Sequence, residues 1–535
     1  MEASREEGVG IKAAKILYPL FVGQAFGAII TSLTFIVVAR ILEPHNYGLY
    51  TFAFGFSALV NGLLAFGVGA YFSTVLAKLA YKKDGEGILR TLSCGYIIAG
   101  AVGVILTLLG IGISGYLAGV YTNIGISPMI LMVAAGTIIF SILNTLAVSA
   151  LIGLSRTGQA AIISVMVDII QLALSIILAL HYGVIGAVMA MLIGYLTGAV
   201  VGAYLLIRVV ASTFKYRIYI PTLKEIGEVF HVVWPLAATN FLNTGMQNFS
   251  ILFLGLYVST AALGNYGAAA KGLALLAMIY GTLGRGLLPI FATAKAMDAG
   301  EGINSTYNRI IHFSLIPMLP IIIYVGIMAA PGLYLLVGSN YINAPFFLTL
   351  IAGGAMIGLF GTYINQLLIS GNHTMNIMRI NFISAVFQLI SLLIFVPPYQ
   401  IIGAIFAIFY IGNTIEAVFF ARDAQIVFGM RFELRKLLLL YFANVILAGI
   451  LLIAYVASNN LIPYYLVWQK YVIELLVVLI VAMMVYPALL IIFRAINDKD
   501  IMSMRHATNR LGKVSVVFGG FFNYSEYLYK RLIRS

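Results

Sequence analysis

The sequence predicts an all-α polytopic membrane protein of about fourteen transmembrane helices, in two pseudo-symmetric six-helix lobes plus an extra helix pair. Three observations predict it. Of 535 residues, 62% are hydrophobic and 9% charged, where a soluble globular chain carries roughly 25% charged residues. No soluble fold hides so much apolar surface behind so little polar material, so lipid is the solvent. The apolar runs are about 20 residues or longer, the length a helix needs to cross the hydrocarbon core. They lack the short alternation of a membrane barrel, and a helix satisfies its backbone within its own segment, as lipid demands. The third observation is that the second half of the chain repeats the first.

In chain order, spans fall at roughly 16–41, 47–77, 91–117, 128–154, 160–180 and 184–207. Six more fall at roughly 231–257, 265–291, 310–336, 345–371, 377–396 and 401–421, and the extra pair at 437–457 and 471–493. The opening residues MEASREEGVG are polar and acidic, without the apolar core of a cleaved signal peptide. Cys94, the single cysteine, has no intrachain partner and lies in an apolar run, so it reads as a small core residue.

Net charge is +13, and its placement orients the chain. Of 31 Lys and Arg, all but Arg40, Lys271, Arg285 and Lys470 lie in the N-terminus, in loops after even-numbered spans, or in the C-terminal tail. The positive-inside rule then puts both termini in the cytoplasm. Positive charge scattered over short loops forms no single patch, which excludes a nucleic-acid partner.

The repeat rests on ordered matches at near-constant spacing. Asn46-Tyr47-Gly48 returns 219 residues later as Asn265-Tyr266-Gly267, and Pro19-Leu20 returns after 216 as Pro235-Leu236. Gln171-Leu172 meets Gln388-Leu389 at 217, and VIGAVMA from Val184 meets IIGAIFA from Ile401 at the same spacing. The expected division is an N-lobe at 1–210, a C-lobe at 211–425, extra helices at 426–494 and a basic, aromatic cytoplasmic tail at 495–535. Six spans per copy is an even number, so both copies enter the membrane in the same direction, as in transporters built from parallel repeats around a central cleft.

ARILEPHNYGLY after the first span, GLLAFGVGAYFST in the second, ALIGLSRTGQ after the fourth and LGNYGAAAKGL in the second half carry a resemblance. Over about residues 10–495 the chain resembles the polysaccharide flippases of the multidrug/oligosaccharidyl-lipid/polysaccharide exporter superfamily. The resemblance implies a multi-pass protein of the plasma membrane that moves a lipid-linked oligosaccharide, on a polyprenyl phosphate or pyrophosphate, from the cytoplasmic to the outer leaflet. It also implies a V of two lobes with helices 1, 2, 7 and 8 lining the cleft. Lipid-linked substrate and membrane lipids are the expected partners, and the chain is expected to be a monomer.

An anionic, sugar-bearing head needs cations and hydrogen-bonding groups inside the membrane. Lys271 and Arg285 are the only cations well inside a span; fourteen residues apart in span 8, they return to one helix face. They are the candidate phosphate ligands, with snorkelling to the two surfaces as the alternative. Their equivalents in the first half are Phe52 and Phe66, so one copy alone carries the cations. Asn240, Asn243 and Gln247 share a face of span 7, and Gln24 and Thr31 stand at the aligned place in span 1. Amides supply donors and acceptors to sugar hydroxyls; interhelical hydrogen bonding is the alternative.

Asp168, in span 5, is either a coupling site for H+ or Na+ or, as favoured here, a structural or hydrogen-bonded acid; its equivalent is Ala385. Arg40 reads as an interface anchor, with an exit-side phosphate contact as the alternative. Glu416 is expected in an interfacial ion pair near Arg422 and Asp423, and Lys470 with Glu474 as an i,i+4 pair at the outer end of span 14. Arg156 and His373 occupy equivalent cytoplasmic turns. No metal cluster, phosphate-cradling loop or nucleophile triad is present in the sequence, so neither an enzyme nor a cofactor is expected. The rivals are a cation-coupled multidrug antiporter of the same superfamily and a membrane glycan polymerase or ligase.

Overall fold

The computed structural model describes residues 2–62, 65–213, 219–274, 291, 302–371, 373–461 and 467–496, with 524, 526, 527 and 531. Side chains at 2–25, 65–68, 70, 213, 232, 234–240, 242–244 and 302–306 lie outside this description. Every regular element among the described residues is a helix. In order they are α1 (Glu2–Gly62), α2 (Ala65–Tyr81), α3 (Gly85–Val120), α4 (Pro128–Gly153), α5 (Thr157–Thr213) and α6 (Leu223–Leu254). Then come α7 (260–274), α8 (Gly302–Ile327), α9 (Ala329–Leu336), α10 (Ala344–Ser370) and α11 (Thr374–Ile405). A π-helical turn, Phe406–Gly412, leads into α12 (Asn413–Phe428), and α13 (Leu434–Leu461) and α14 (Val467–Ile492) close the series.

Among the described residues, nine helical stretches are long and apolar enough to cross a membrane. Three of them contain an internal break. Thr157–Ser212 has 56 residues, or about 84 Å of helix, against a hydrocarbon core of about 30 Å. Each of the three is broken by one residue with non-helical dihedrals: Glu43 (φ 58°, ψ 171°), Gly183 (57°, −133°) and Gln400 (49°, −123°). The chain turns back at Glu43, because the Phe35 and Phe54 ring centroids are 5.8 Å apart, where straight helix would separate the residues by about 28 Å. Read as doubles, the three long stretches bring the crossings to twelve, and α6 with α7 occupies the place of spans 7 and 8. The chain is an all-α polytopic membrane protein.

The repeat is present in the backbone as well as in the letters. Gly183 and Gln400 are 217 residues apart and break their helices with nearly the same dihedrals. Three residues on, a Cβ on Gly186 would strike the Leu178 carbonyl and one on Gly403 the Phe395 carbonyl. Only glycine permits that approach. The turns before α5 and α11 match too: the Arg156 amide donates to Leu151 O at 2.8 Å and the His373 amide to Leu368 O at 3.1 Å.

By compactness the chain forms two units, Met1–Lys271 with Ala385–Ala404, and Gly272–Ser384 with Ile405–Ser535. This is a different criterion from the repeat that divides the sequence at 210 and 425. In the first unit α1 packs on α4, α5 and α6; the Ser57 hydroxyl donates to Ala134 O at 2.9 Å. In the second unit α10 packs on α8 and α12, pinned by Asn413 Nδ2 to Gly354 O at 3.0 Å and Tyr410 OH to Leu350 O at 3.0 Å.

The extra helices attach through a proline's side effect. Pro320 lies inside α8 and has no amide hydrogen, so the carbonyl four residues earlier, on Ile316, loses its helical donor. The Tyr486 hydroxyl of α14 donates to that carbonyl at 2.6 Å. In lipid an orphan carbonyl is costly, so the proline and the tyrosine form one device.

One acid expectation is corrected within the second unit. Glu416 is not ion-paired with its sequence neighbours: it accepts from the Ser384 hydroxyl at 3.1 Å, while Asp423 pairs with Arg379 at 3.3 Å. Lys470 and Glu474 form their i,i+4 pair, with Nζ and Oε1 3.9 Å apart, and are buried at 3% and 1% accessibility. The packing of α14 on α9, where the Tyr471 and Tyr334 rings meet at 5.7 Å, accompanies that burial.

Candidate functional site

The site is built on one stripe of α1. Gly27, Thr31 and Phe35 recur every fourth residue, which places them on the same helix face. Asp168 of α5 meets the lower part of the stripe. The Thr31 hydroxyl donates to Asp168 Oδ1 at 3.0 Å, and the other carboxylate oxygen lies 2.6 Å from where a Cβ on Gly27 would stand. Glycine at 27 therefore makes room for the acid. Asp168 has a hydrogen-bond donor and, among the described residues, no cation in ion-pair range.

Lys271 of α7 meets the upper part. Its ammonium lies 3.9 Å from the Phe35 ring centroid and 4.2 Å from that of Phe54, on the returning leg of α1. The two rings stand at 84° to one another, forming an inside corner that holds the cation, and Tyr50 edges Phe35 at 6.5 Å. No described carboxylate pairs with Lys271. The helix carrying it begins at residue 260 and not at 265, so Lys271 is eleven residues in, about 16 Å along the axis. Its ammonium rests against two rings, where snorkelling, the alternative raised by the sequence, would carry it to the nearer surface.

Beside Asp168, α5 continues with Gln171 and Ser175 at three- and four-residue steps, and α4, which packs on α5, contributes Asn144. Gln171 Nε2, Ser175 Oγ and Asn144 Oδ1 are buried without hydrogen-bond partners. Unpaired donors and acceptors in a membrane bundle are costly and leave hydrogen-bonding capacity for water or a polar group.

The remaining sequence candidates are placed as follows. Arg285 lies outside the described residues, and the side chains of Gln24, Asn240 and Asn243 do too, although α1 and α6 carry their backbones. Gln247 is exposed on α6. Arg40 is exposed three residues before the break at Glu43. Thr31, grouped in the sequence with the sugar-binding amides, gives its hydroxyl to Asp168. Sequence reasoning missed Phe35 and Phe54, whose only signal was the four-residue step from Thr31 to Phe35. Among the described residues no cluster of His, Cys, Asp and Glu suits a metal.

No curated protein matches the chain. In structure it is similar to the lipid II flippase MurJ in an inward closed conformation, with a TM-score of 0.69 at 16% identity, covering 88% of this chain and 99% of that one. It is also similar to an inward-facing multidrug resistance MATE family transporter of the MOP superfamily (TM-score 0.61, 17% identity, 77% of this chain and 98% of that one). A third is a MOP superfamily transporter from Pyrococcus furiosus, whose binding pocket of reverse polarity suggests a different function (0.53, 17%, 77% and 94%). The fold is that of the MOP-superfamily transporters. The model of a family described as polysaccharide biosynthesis protein matches residues 37–345, more than half of the chain and most of the site just described, and the chain belongs to that family.

Proposed function

We propose that the protein is a flippase that carries a polyprenyl-phosphate- or pyrophosphate-linked oligosaccharide from the cytoplasmic to the outer leaflet by alternating access of two lobes, as a monomer in the plasma membrane with both termini in the cytoplasm. The observation that carries this reading is Lys271: a membrane-embedded cation with no described carboxylate beside it. Lys271 is half-buried; a charge inside a membrane bundle is costly and marks a functional site, and an anionic head group supplies the missing counter-charge. Arg285 is its proposed second phosphate ligand, with Gln24, Asn240, Asn243 and Gln247 meeting sugar hydroxyls. Membership of a polysaccharide biosynthesis family supports a glycan cargo.

Asp168 favours the second reading, a cation-coupled multidrug antiporter, because an acid without a described cation also suits a cationic drug or a coupling H+ or Na+. Its donor from Thr31 supports the structural role instead. Reconstitution in liposomes separates the two readings. The flippase reading expects a lipid-linked oligosaccharide to become accessible from the opposite leaflet, with no efflux of cationic dye. Dye efflux without lipid movement would replace it with the antiporter.

A further inference from the structure

We infer that Phe35 and Phe54 are positioning residues whose ring faces hold the Lys271 ammonium in place, un-neutralised and ready for the phosphate of an isoprenoid-linked substrate. The inference rests on the flippase reading and adds to it how the cation is kept available.

A lysine inside a membrane bundle has three ways to be held. A carboxylate would neutralise it, and an incoming phosphate would then have to displace that partner. Snorkelling would withdraw it from the site. Aromatic faces attract it through the ring quadrupole without cancelling its charge, and that is the arrangement found: 3.9 Å to one ring, 4.2 Å to the other. The ammonium has three donors. Two ring faces set at 84° occupy one side of it, and no described side chain accepts a hydrogen bond from the rest. The open side suits an anionic oxygen, and the corner fixes where that oxygen must come.

Both rings belong to the same kinked helix, one on each side of the break at Glu43. Phe35 is eight residues before the break and Phe54 eleven after it, about 12 and 16 Å along the two legs. Lys271 is about 16 Å into α7 by the same measure. The three groups therefore meet at one depth because of where the break falls. Phe35 also makes an edge contact with Tyr50, at 6.5 Å.

The test is binding of farnesyl pyrophosphate, a short isoprenoid pyrophosphate, to the full-length protein in detergent, measured by calorimetry. Fluorinated phenylalanines placed at 35 and 54 lower the ring-face potential stepwise with little change of shape, so folding is preserved. The proposal expects affinity to fall with each added set of fluorines, by tenfold or more with both rings fully fluorinated. Phe35→Leu with Phe54→Leu should weaken binding similarly, and Phe35→Tyr with Phe54→Tyr should restore it. A fluorination series that is flat, or that tightens binding, overturns the positioning role. If the series is flat while Lys271→Gln still weakens binding tenfold, the flippase reading stands without it. If Lys271→Gln binds as well as the unaltered protein, the phosphate reading of Lys271 falls too.

Discussion

Gly48 and Gly264 bring α1 and α7 into backbone contact: a Cβ on Gly48 would strike the Thr260 carbonyl, and one on Gly264 would strike the carbonyl of Pro44. The contact is reciprocal, each glycine meeting the carbonyl four residues before the other. Small residues let membrane helices approach this closely, and the two copies of Asn-Tyr-Gly belong to these facing segments.

Alanine at 48 or 264 should therefore cost about 1–3 kcal/mol, the usual penalty for overpacking, because the obstructing atom is backbone and cannot rotate away. Gly449, in α13, has nothing within 4 Å of its added Cβ, so Gly449→Ala should leave the melting midpoint unchanged or raise it. Thermal unfolding in detergent compares the three variants. Equal midpoints would contradict the close approach.

The pairing of Thr31 with Asp168 predicts a graded result. Thr31→Val removes the hydroxyl donor to a half-buried carboxylate and should destabilise by about 1 kcal/mol, the usual net contribution of one hydrogen bond. Thr31→Ser should recover most of it. A midpoint indifferent to Val against Ser would show that the 3.0 Å hydrogen bond contributes nothing.

Pro320 and Tyr486 should behave as a coupled pair. Tyr486→Phe orphans the Ile316 carbonyl and should destabilise by about 1–2 kcal/mol. In a Pro320→Ala background residue 320 has an amide for that carbonyl, so removing the hydroxyl should cost less. A double-mutant cycle reads the coupling; strict additivity would contradict the device.

A pH effect is expected where α3 meets α6, outside the spans. The Tyr219 hydroxyl donates to Glu225 at 2.6 Å, the Thr222 amide at 2.7 Å, and Arg90 pairs with it at 2.9 Å. Hydrogen bonding by Tyr219 first, then by Thr222, holds the Glu225 carboxyl below its ordinary value of 4.5. A depressed folded value means that the carboxylate's stabilisation is complete above the unfolded value and is lost as pH falls through the folded one. The midpoint advantage of the unaltered protein over Glu225→Gln should therefore be constant near neutrality and shrink on acidification below 4.5. An advantage that grows with acid would reverse the sign.

Much of this was legible in the letters. Apolar run length fixed the crossings because lipid leaves helices little alternative, and the 217-residue register from VIGAVMA to IIGAIFA foretold the matching breaks at Gly183 and Gln400. Contacts between distant helices were not legible. Glu416 has Arg422 and Asp423 nearby in sequence, yet Ser384, 32 residues away, supplies its hydrogen bond. Lys271 stood out as a rare intramembrane cation, but among 33 phenylalanines nothing marked Phe35 and Phe54 as its neighbours. Helix α7 starts at residue 260, five residues earlier than the expected span, so Lys271 lies eleven residues from its start.

The central claim is that the cargo's anionic head engages Lys271 during transport. The most direct measurement is the initial rate of lipid-linked oligosaccharide flipping in liposomes, over a range of substrate densities, for the unaltered protein, Lys271→Arg and Lys271→Gln at equal folded amounts. The account predicts that Arg retains flipping, since its guanidinium keeps the charge, stacks on aromatic faces and binds phosphate, and that Gln loses at least tenfold. Flipping by Lys271→Gln at the unaltered rate would contradict it.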